Sequence, residues 1–269
     1  MKTFNFIQFI FIAVSLTLHG QESTSFKPFG QHSDLLAKGD MRYSLFTKGE
    51  YGISDKLTIR LHPLWIFMAP SIDARWQWKK SEKRSVSFVH GISSPTPGMS
   101  LFAMEGTGGL ISPEFDIPFM LSVRNGMIST WKLKNDHRIT SELGVEFALL
   151  NDKLQPGSSI DLPIISPRNA VYYKNFGIDA GLTAEGKILG RIDYYSKVQG
   201  FIFPAETSEY EQEYGKTGKI FGEATALIFW NISKKCKFGL GTKLCYGEYP
   251  FGNQWHLLPF FDFVRYSRK

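Results

Sequence analysis

The sequence predicts an all-β protein: a single antiparallel up-and-down transmembrane β-barrel of about twelve strands, with ten or fourteen as the neighbouring even solutions. Three observations carry this prediction. Apolar and polar residues alternate with a period of two over segments of about eleven to thirteen residues, twice the usual soluble strand and the length a tilted membrane strand needs. Short charged turns alternate with long connections that contain Gly and Pro. The composition is rich in strand and turn formers, at 15% aromatic with 23 Phe, 11 Tyr, 6 Trp and 25 Gly.

The charge is mild: 31 Lys and Arg against 25 Asp and Glu, scattered along the chain, which argues against a nucleic-acid partner. Residues 1–20 read as a cleavable secretory signal, with Lys2, an apolar run from Phe4 to Leu18, and Gly20 before Gln21. That run is about fifteen residues, shorter than the roughly twenty of a spanning helix. No later apolar run approaches eighteen residues, so strands must do any membrane crossing. Cys236 and Cys245 lie nine apart, about 30 Å along one strand at roughly 3.3 Å per residue, too far for a disulfide. They also lack the spacing of a metal site, and no cofactor is expected.

Taken in order, the alternation places strands at 41–52, 57–67, 71–80, 84–92, 115–132, 138–150, 170–183, 187–201, 218–232, 236–249 and 254–267. Between Lys187 and Gln199, Lys187, Arg191, Asp193, Lys197 and Gln199 oppose Ile188, Ile192, Tyr194 and Val198. Between Lys219 and Asn231, Ile220, Gly222, Ala224, Ala226, Ile228 and Trp230 form an apolar face, with Phe221, Leu227 and Phe229 as exceptions on the other. Segments 138–149 and 237–247 repeat the pattern. Short turns are expected at 54–56, 81–84, 134–137, 184–186 and 233–235, and long loops at 93–112, 151–168 and 203–216. If the short turns face the periplasm, an even strand count requires another strand within 22–38. Pro28 and Gly30 interrupt that stretch, so residues 21–39 are a first strand, a tail or a plug, and 40–269 form the barrel. Trp65, Trp76, Trp78, Trp131, Trp230, Trp255, Tyr194 and Tyr246 fall mainly toward segment ends, as in interfacial girdles.

Residues Gly49 to Ile59 (GEYGISDKLTI), followed by His62, Pro63 and Leu64, resemble the strand, Tyr-Gly-hydrophobic-Ser/Thr-Asp-Lys/Arg-Leu, strand hairpin of outer-membrane β-barrels from Bacteroidota-type bacteria. The resemblance covers residues 40–269 and implies architecture without a catalytic residue. Leu257 to Tyr266, with Phe261, Phe263 and Tyr266, resembles a recognition strand for the barrel-assembly machinery, although the chain ends Ser267, Arg268, Lys269 instead of in an aromatic. The partners this implies are the assembly machinery and outer-membrane lipids, whose phosphates the basic turns at Lys79, Lys80, Lys83, Arg84, Lys234 and Lys235 could meet. Oligomeric state is left open.

Chemical motifs are sparse. Gly215, Lys216 and Thr217 end like a P-loop but Tyr210 stands where its upstream Gly belongs, and residues 105–109 read as a flexible Gly-rich loop. His90 beside Ser93 and Ser94 is a loose candidate for lipid hydrolysis and lacks an acid partner. The candidates for a lumen lining are Arg60, Asp73, Arg75, Asp116, Arg124, Glu142, Glu146, Asp179, Arg191, Asp193, Lys197, Glu223, Lys243 and Asp262. They could form a polar path for solutes or a cross-lumen network of ion pairs that fills a closed pore. The expected function is a passive channel or transporter. A structural or ligand-binding barrel without an open pore is the first alternative, and a lipid-modifying enzyme the second.

Overall fold

A computed structural model describes residues 27–267 apart from 31, 64, 107–109, 156–157, 159, 161, 205–217 and 250–251. The signal segment and the Gly215–Thr217 motif lie outside the described residues. Twelve antiparallel strands close into one barrel: β1 Met41–Ser44, β2 Gly49–Ser54, β3 Leu57–Leu61, β4 Ser71–Lys80, β5 Arg84–Ser93, β6 Met120–Lys132, β7 Arg138–Leu150, β8 Phe176–Leu189, β9 Ile192–Ile202, β10 Ile220–Asn231, β11 Cys236–Tyr249 and β12 Gly252–Ser267. Each strand pairs with its sequence neighbours, and β1 closes the ring against β12. Two short helices, α1 Thr96–Phe102 and α2 Ser166–Lys174, lie in the long connections.

The strand count is the one predicted, but its origin differs. No strand forms among the described residues of 22–38; the twelfth comes from a break in the predicted 41–52. At that break the Asp262 carboxylate accepts the Leu45 and Phe46 N–H groups at 3.0 and 3.2 Å and the Ser44 hydroxyl at 2.6 Å, so a side chain shares the Leu45 donor with Phe263 O and takes the Phe46 donor, and the ladder ends. The predicted strand 57–67 stops at Leu61, because His62 and Pro63 lead into a turn in which Trp65 O accepts the Met68 and Ala69 N–H groups. The predicted strand 170–183 begins as α2, opened by Pro167 and ended by Asn175 at φ 60°, and turns to strand only at Phe176. Alternation also ran through one turn unnoticed: the β8–β9 hairpin reverses at Gly190 (φ 53°), not at 184–186. Asn135 and Asp136, both at positive φ, make the two-residue reversal between β6 and β7.

The two faces of the wall are inverted relative to a soluble barrel. Outward rows are apolar around the ring, with Ile72, Leu143, Leu182, Val198, Ile228, Leu240 and Leu257 all exposed. Charged Arg75, Glu142, Asp179, Asp193 and Glu223 are buried inside. A water-soluble barrel would bury the first set and expose the second, so this is an outer-membrane-type barrel. The Trp76, Trp78, Trp131 and Trp230 side chains lie at the short-turn end and Trp255 at the long-loop end.

Candidate functional site

The interior has three tiers, set by how far along each strand the lining residues sit. Nearest the short turns, the N-terminal segment enters the lumen. Phe29 is buried against Tyr195 and Phe229, with ring centroids 4.9 and 4.4 Å away, in a cluster completed by Leu227, Val264 and Tyr266. Its backbone is held by wall side chains. Glu185 accepts the Phe29 and Gly30 N–H groups at 2.9 Å each. Arg42 donates to Phe29 O at 2.6 Å, Arg75 to His32 O at 2.7 Å, and the Tyr266 hydroxyl to Pro28 O at 2.9 Å. Ser33 sits 2.6 Å from the Ser85 hydroxyl and donates its N–H to Thr130, and Asp34 pairs with Lys132 and Arg138 at 3.0 Å each. Burial alone would raise the Asp34 carboxyl pKa, but the Lys132 hydrogen bond and the charges of Lys132 and Arg138 outweigh it and hold it below its usual range. Burial, with Arg75 beside it, pushes His32 well below the usual imidazole value, so its ring is neutral when docked.

The middle tier is a belt of ion pairs. Glu50 is wholly buried and meets Arg42, Arg60 and Arg75 at 3.1, 3.5 and 3.2 Å. Arg60 and Lys48 reach Asp73, Arg124 pairs with Asp179 at 2.6 Å, Lys197 with Glu142, Lys237 with Asp193 at 2.6 Å, and Lys243 with Glu223 at 2.8 Å. Among the described residues, the pairs that join two strands link neighbours or next neighbours. They therefore lie along the wall and do not bridge the lumen. Gly144 shows how: Arg124 on β6 reaches Asp179 on β8 over it, and a Cβ there would stand 2.3 Å from Asp179 Oδ2 and 2.7 Å from Arg124 Nη2. Of the two arrangements open to these residues, the pairs form no cross-lumen network among the described residues; charge coats the wall, and other groups do the filling.

At the long-loop end, the connections fold back over the opening. Met99 from α1, Ile111, Leu154, Ile160, and Ala170, Val171 and Tyr172 from α2 pack onto the loop-end residues Met120, Ala148, Phe201 and Phe221. Tyr172 donates to Ser122 at 3.0 Å and meets Ser93, and burial pushes its hydroxyl up to about 12, so it remains a donor. Arg168 grips Glu223 with both guanidinium arms, at 2.6 and 2.9 Å.

Twelve of the fourteen sequence candidates project inward: Arg60, Asp73, Arg75, Arg124, Glu142, Glu146, Asp179, Asp193, Lys197, Glu223, Lys243 and Asp262. Asp116 is exposed in the β5–β6 loop and Arg191 lies in the β8–β9 turn, so neither lines the lumen. Sequence reading missed Arg42, Lys48, Glu50, Arg138, Glu185 and Lys237. Arg42 and Glu50 share the parity of Ser44 opposite the outward Tyr43 and Tyr51, a signal that was present. His90 faces outward and bonds Asn125 at 2.7 Å, while Ser93 faces inward to Ser122, so the wall separates the base from that serine.

No protein-family model and no curated protein matches the chain. A solved structure described as a bacterial polysaccharide outer membrane secretin is similar at 13% identity and a TM-score of 0.44, over 85% of this chain and 70% of that one.

Proposed function

We propose that this is an outer-membrane barrel without an open pore at rest, a ligand-binding or structural barrel and not a passive channel. In this reading the short turns and the N-terminal segment face the periplasm and the long loops face outward. The observation that carries it is the seating of residues 27–34 inside the barrel, with Phe29 in an apolar cluster, its N–H and C=O taken by Glu185 and Arg42, and His32 O taken by Arg75. The loop cap closes the other end. Because the ion pairs run along the wall, opening both closures would uncover a polar passage. The test is single-channel recording in planar bilayers of the full chain and of a variant that lacks residues 27–38 and carries Met99→Glu and Val171→Glu in the loop cap. Silence from the first and stepwise conductance from the second are expected; stepwise conductance from the intact chain at the level of the doubly opened variant would overturn the proposal. The hydrolase reading gains nothing from His90, whose nearby Ser93 lies on the opposite face.

A further inference from the structure

The wall is not of uniform height. A tilted membrane strand needs about nine to eleven residues. Strands β1, β2 and β3 have 4, 6 and 5, whereas the adjoining β12 has 16. The β1–β12 ladder runs only from Met41 opposite Ser267 to Ser44 opposite Val264, with one further bond from Leu45 N–H to Phe263 O. Among the described residues, β12 from Gly252 to Asp262 pairs on one side only, with β11. A notch therefore opens in the long-loop half of the wall, between this edge and the β3–β4 connection, which is tied to Phe46 O through His62.

Open sheet edges are costly in hydrocarbon, and the commonest remedy is an added strand. Here Pro259 opposes it. Phe263 O points toward β1, so the odd-numbered residues of β12 direct their backbone groups to the free edge, and Pro259 deletes a donor in its middle. A second copy is no better: a two-fold axis along the membrane normal would set two β12 edges parallel and tilted in opposite senses, so no ladder could form. The outward face of the edge is apolar, and on the inward face Leu258 and Phe260 lie between His256 and the buried Asp262. Trp255, Leu257 and Phe261 are exposed outside, Leu258 and Phe260 turn inward, and Phe46 closes the floor with its ring 4.9 Å from Phe261 and 6.2 Å from Phe260. At Leu258 and Phe260 the inward row of β12 thus carries hydrocarbon, beside Lys243 of the belt on β11.

We infer that this notch is a lateral binding site for the acyl chain of a membrane amphiphile, which passes from the bilayer over the β12 edge to lie against Leu258 and Phe260. The inference rests on the ligand-binding form of the closed-barrel reading and specifies its ligand class. The test uses the full chain in phosphatidylcholine vesicles containing a phospholipid with a photoactivatable diazirine on its acyl chain, with adducts mapped by peptide mass spectrometry. Adducts on inward Leu258 and Phe260 are expected, with those on Phe260 reduced at least fivefold in a Leu258→Trp variant that fills the groove. Adducts confined to outward Trp255, Leu257 and Phe261, with or without a cross-linked dimer, would overturn the inference. Conductance of the same vesicles keeps the two failures apart: silent vesicles with outward adducts alone defeat the lateral site, whereas open conductance defeats the closed barrel.

Discussion

Phe29→Ala should loosen the N-terminal segment without unfolding the barrel. Phe29 is 5% exposed and touches two aromatic rings. Truncating a buried Phe costs about 3–5 kcal/mol, and the lower end applies where a segment at a rim can partly collapse onto the gap. At about 1.4 kcal/mol per decade, the undocked population rises about a hundredfold, and by roughly three and a half decades at the upper end. Ser33 reports it, being fully buried beside Ser85. A Ser33→Cys thiol, in a Cys236→Ser, Cys245→Ala background, is alkylated at a rate set by the open population when reclosing outpaces labelling. Labelling should accelerate by at least about a hundredfold, relative to a free thiol, while heat-modifiable gel migration stays unchanged, because Phe29 belongs to no strand pair. Equal labelling rates with and without Phe29 would refute the docking argument.

Glu50→Gln leaves three arginines around a neutral amide, and the loss of a buried counter-charge should destabilise the barrel by about 3–5 kcal/mol, read as a lower urea midpoint with unchanged slope. Gly144→Ala should part Arg124 from Asp179 at about 1–3 kcal/mol, and Gly144→Ala in an Arg124→Met, Asp179→Leu background should cost far less, since its clash partners are gone. Acidification should release the N-terminal segment. His32 is neutral when docked and takes a proton when free, so its share of docking is complete above about pH 6.5 and declines below it; the Asp34 share, from a depressed carboxyl, is complete above about pH 4 and is lost as pH falls further. Labelling of the Ser33→Cys thiol, relative to a free thiol at the same pH, should therefore accelerate between pH 7 and 5, and His32→Gln should abolish that first limb; a rise that persists in His32→Gln would assign it elsewhere.

The period-two pattern made the architecture legible because a membrane barrel obeys one rule on every strand, apolar outside and polar inside. The rule is blind to where a strand ends. It ran through the Gly190 turn because parity survives a reversal of two residues, and it bridged residues 45–48 because Asp262, more than two hundred residues away, does the interrupting. Asp116 and Arg191 were misplaced for the same reason: sign and parity say nothing of whether a residue sits in a strand. The most informative signal was a violation. Phe221, Leu227 and Phe229 broke the alternation of β10, and all three are buried inside, the last two around Phe29 and the first beneath the loop cap. Apolar residues on a polar face mark where the interior meets protein and not water, but as exceptions to the alternation alone they do not say which segment covers them.

The four-pair seam also bears on how the ring is assembled. From β4 to β12 every pairing joins consecutive strands, a chain of contacts each closed over one connection. Met41 and Ser267 must instead meet across more than two hundred residues, the entropically dearest encounter in the molecule, for a ladder of only four pairs. The curved sheet can therefore form hairpin by hairpin and wait with its ends apart. Since the segment that fills the short-turn mouth continues directly into β1, a last zip at this seam would carry that segment in with it, and the barrel would be stoppered in the act of closing.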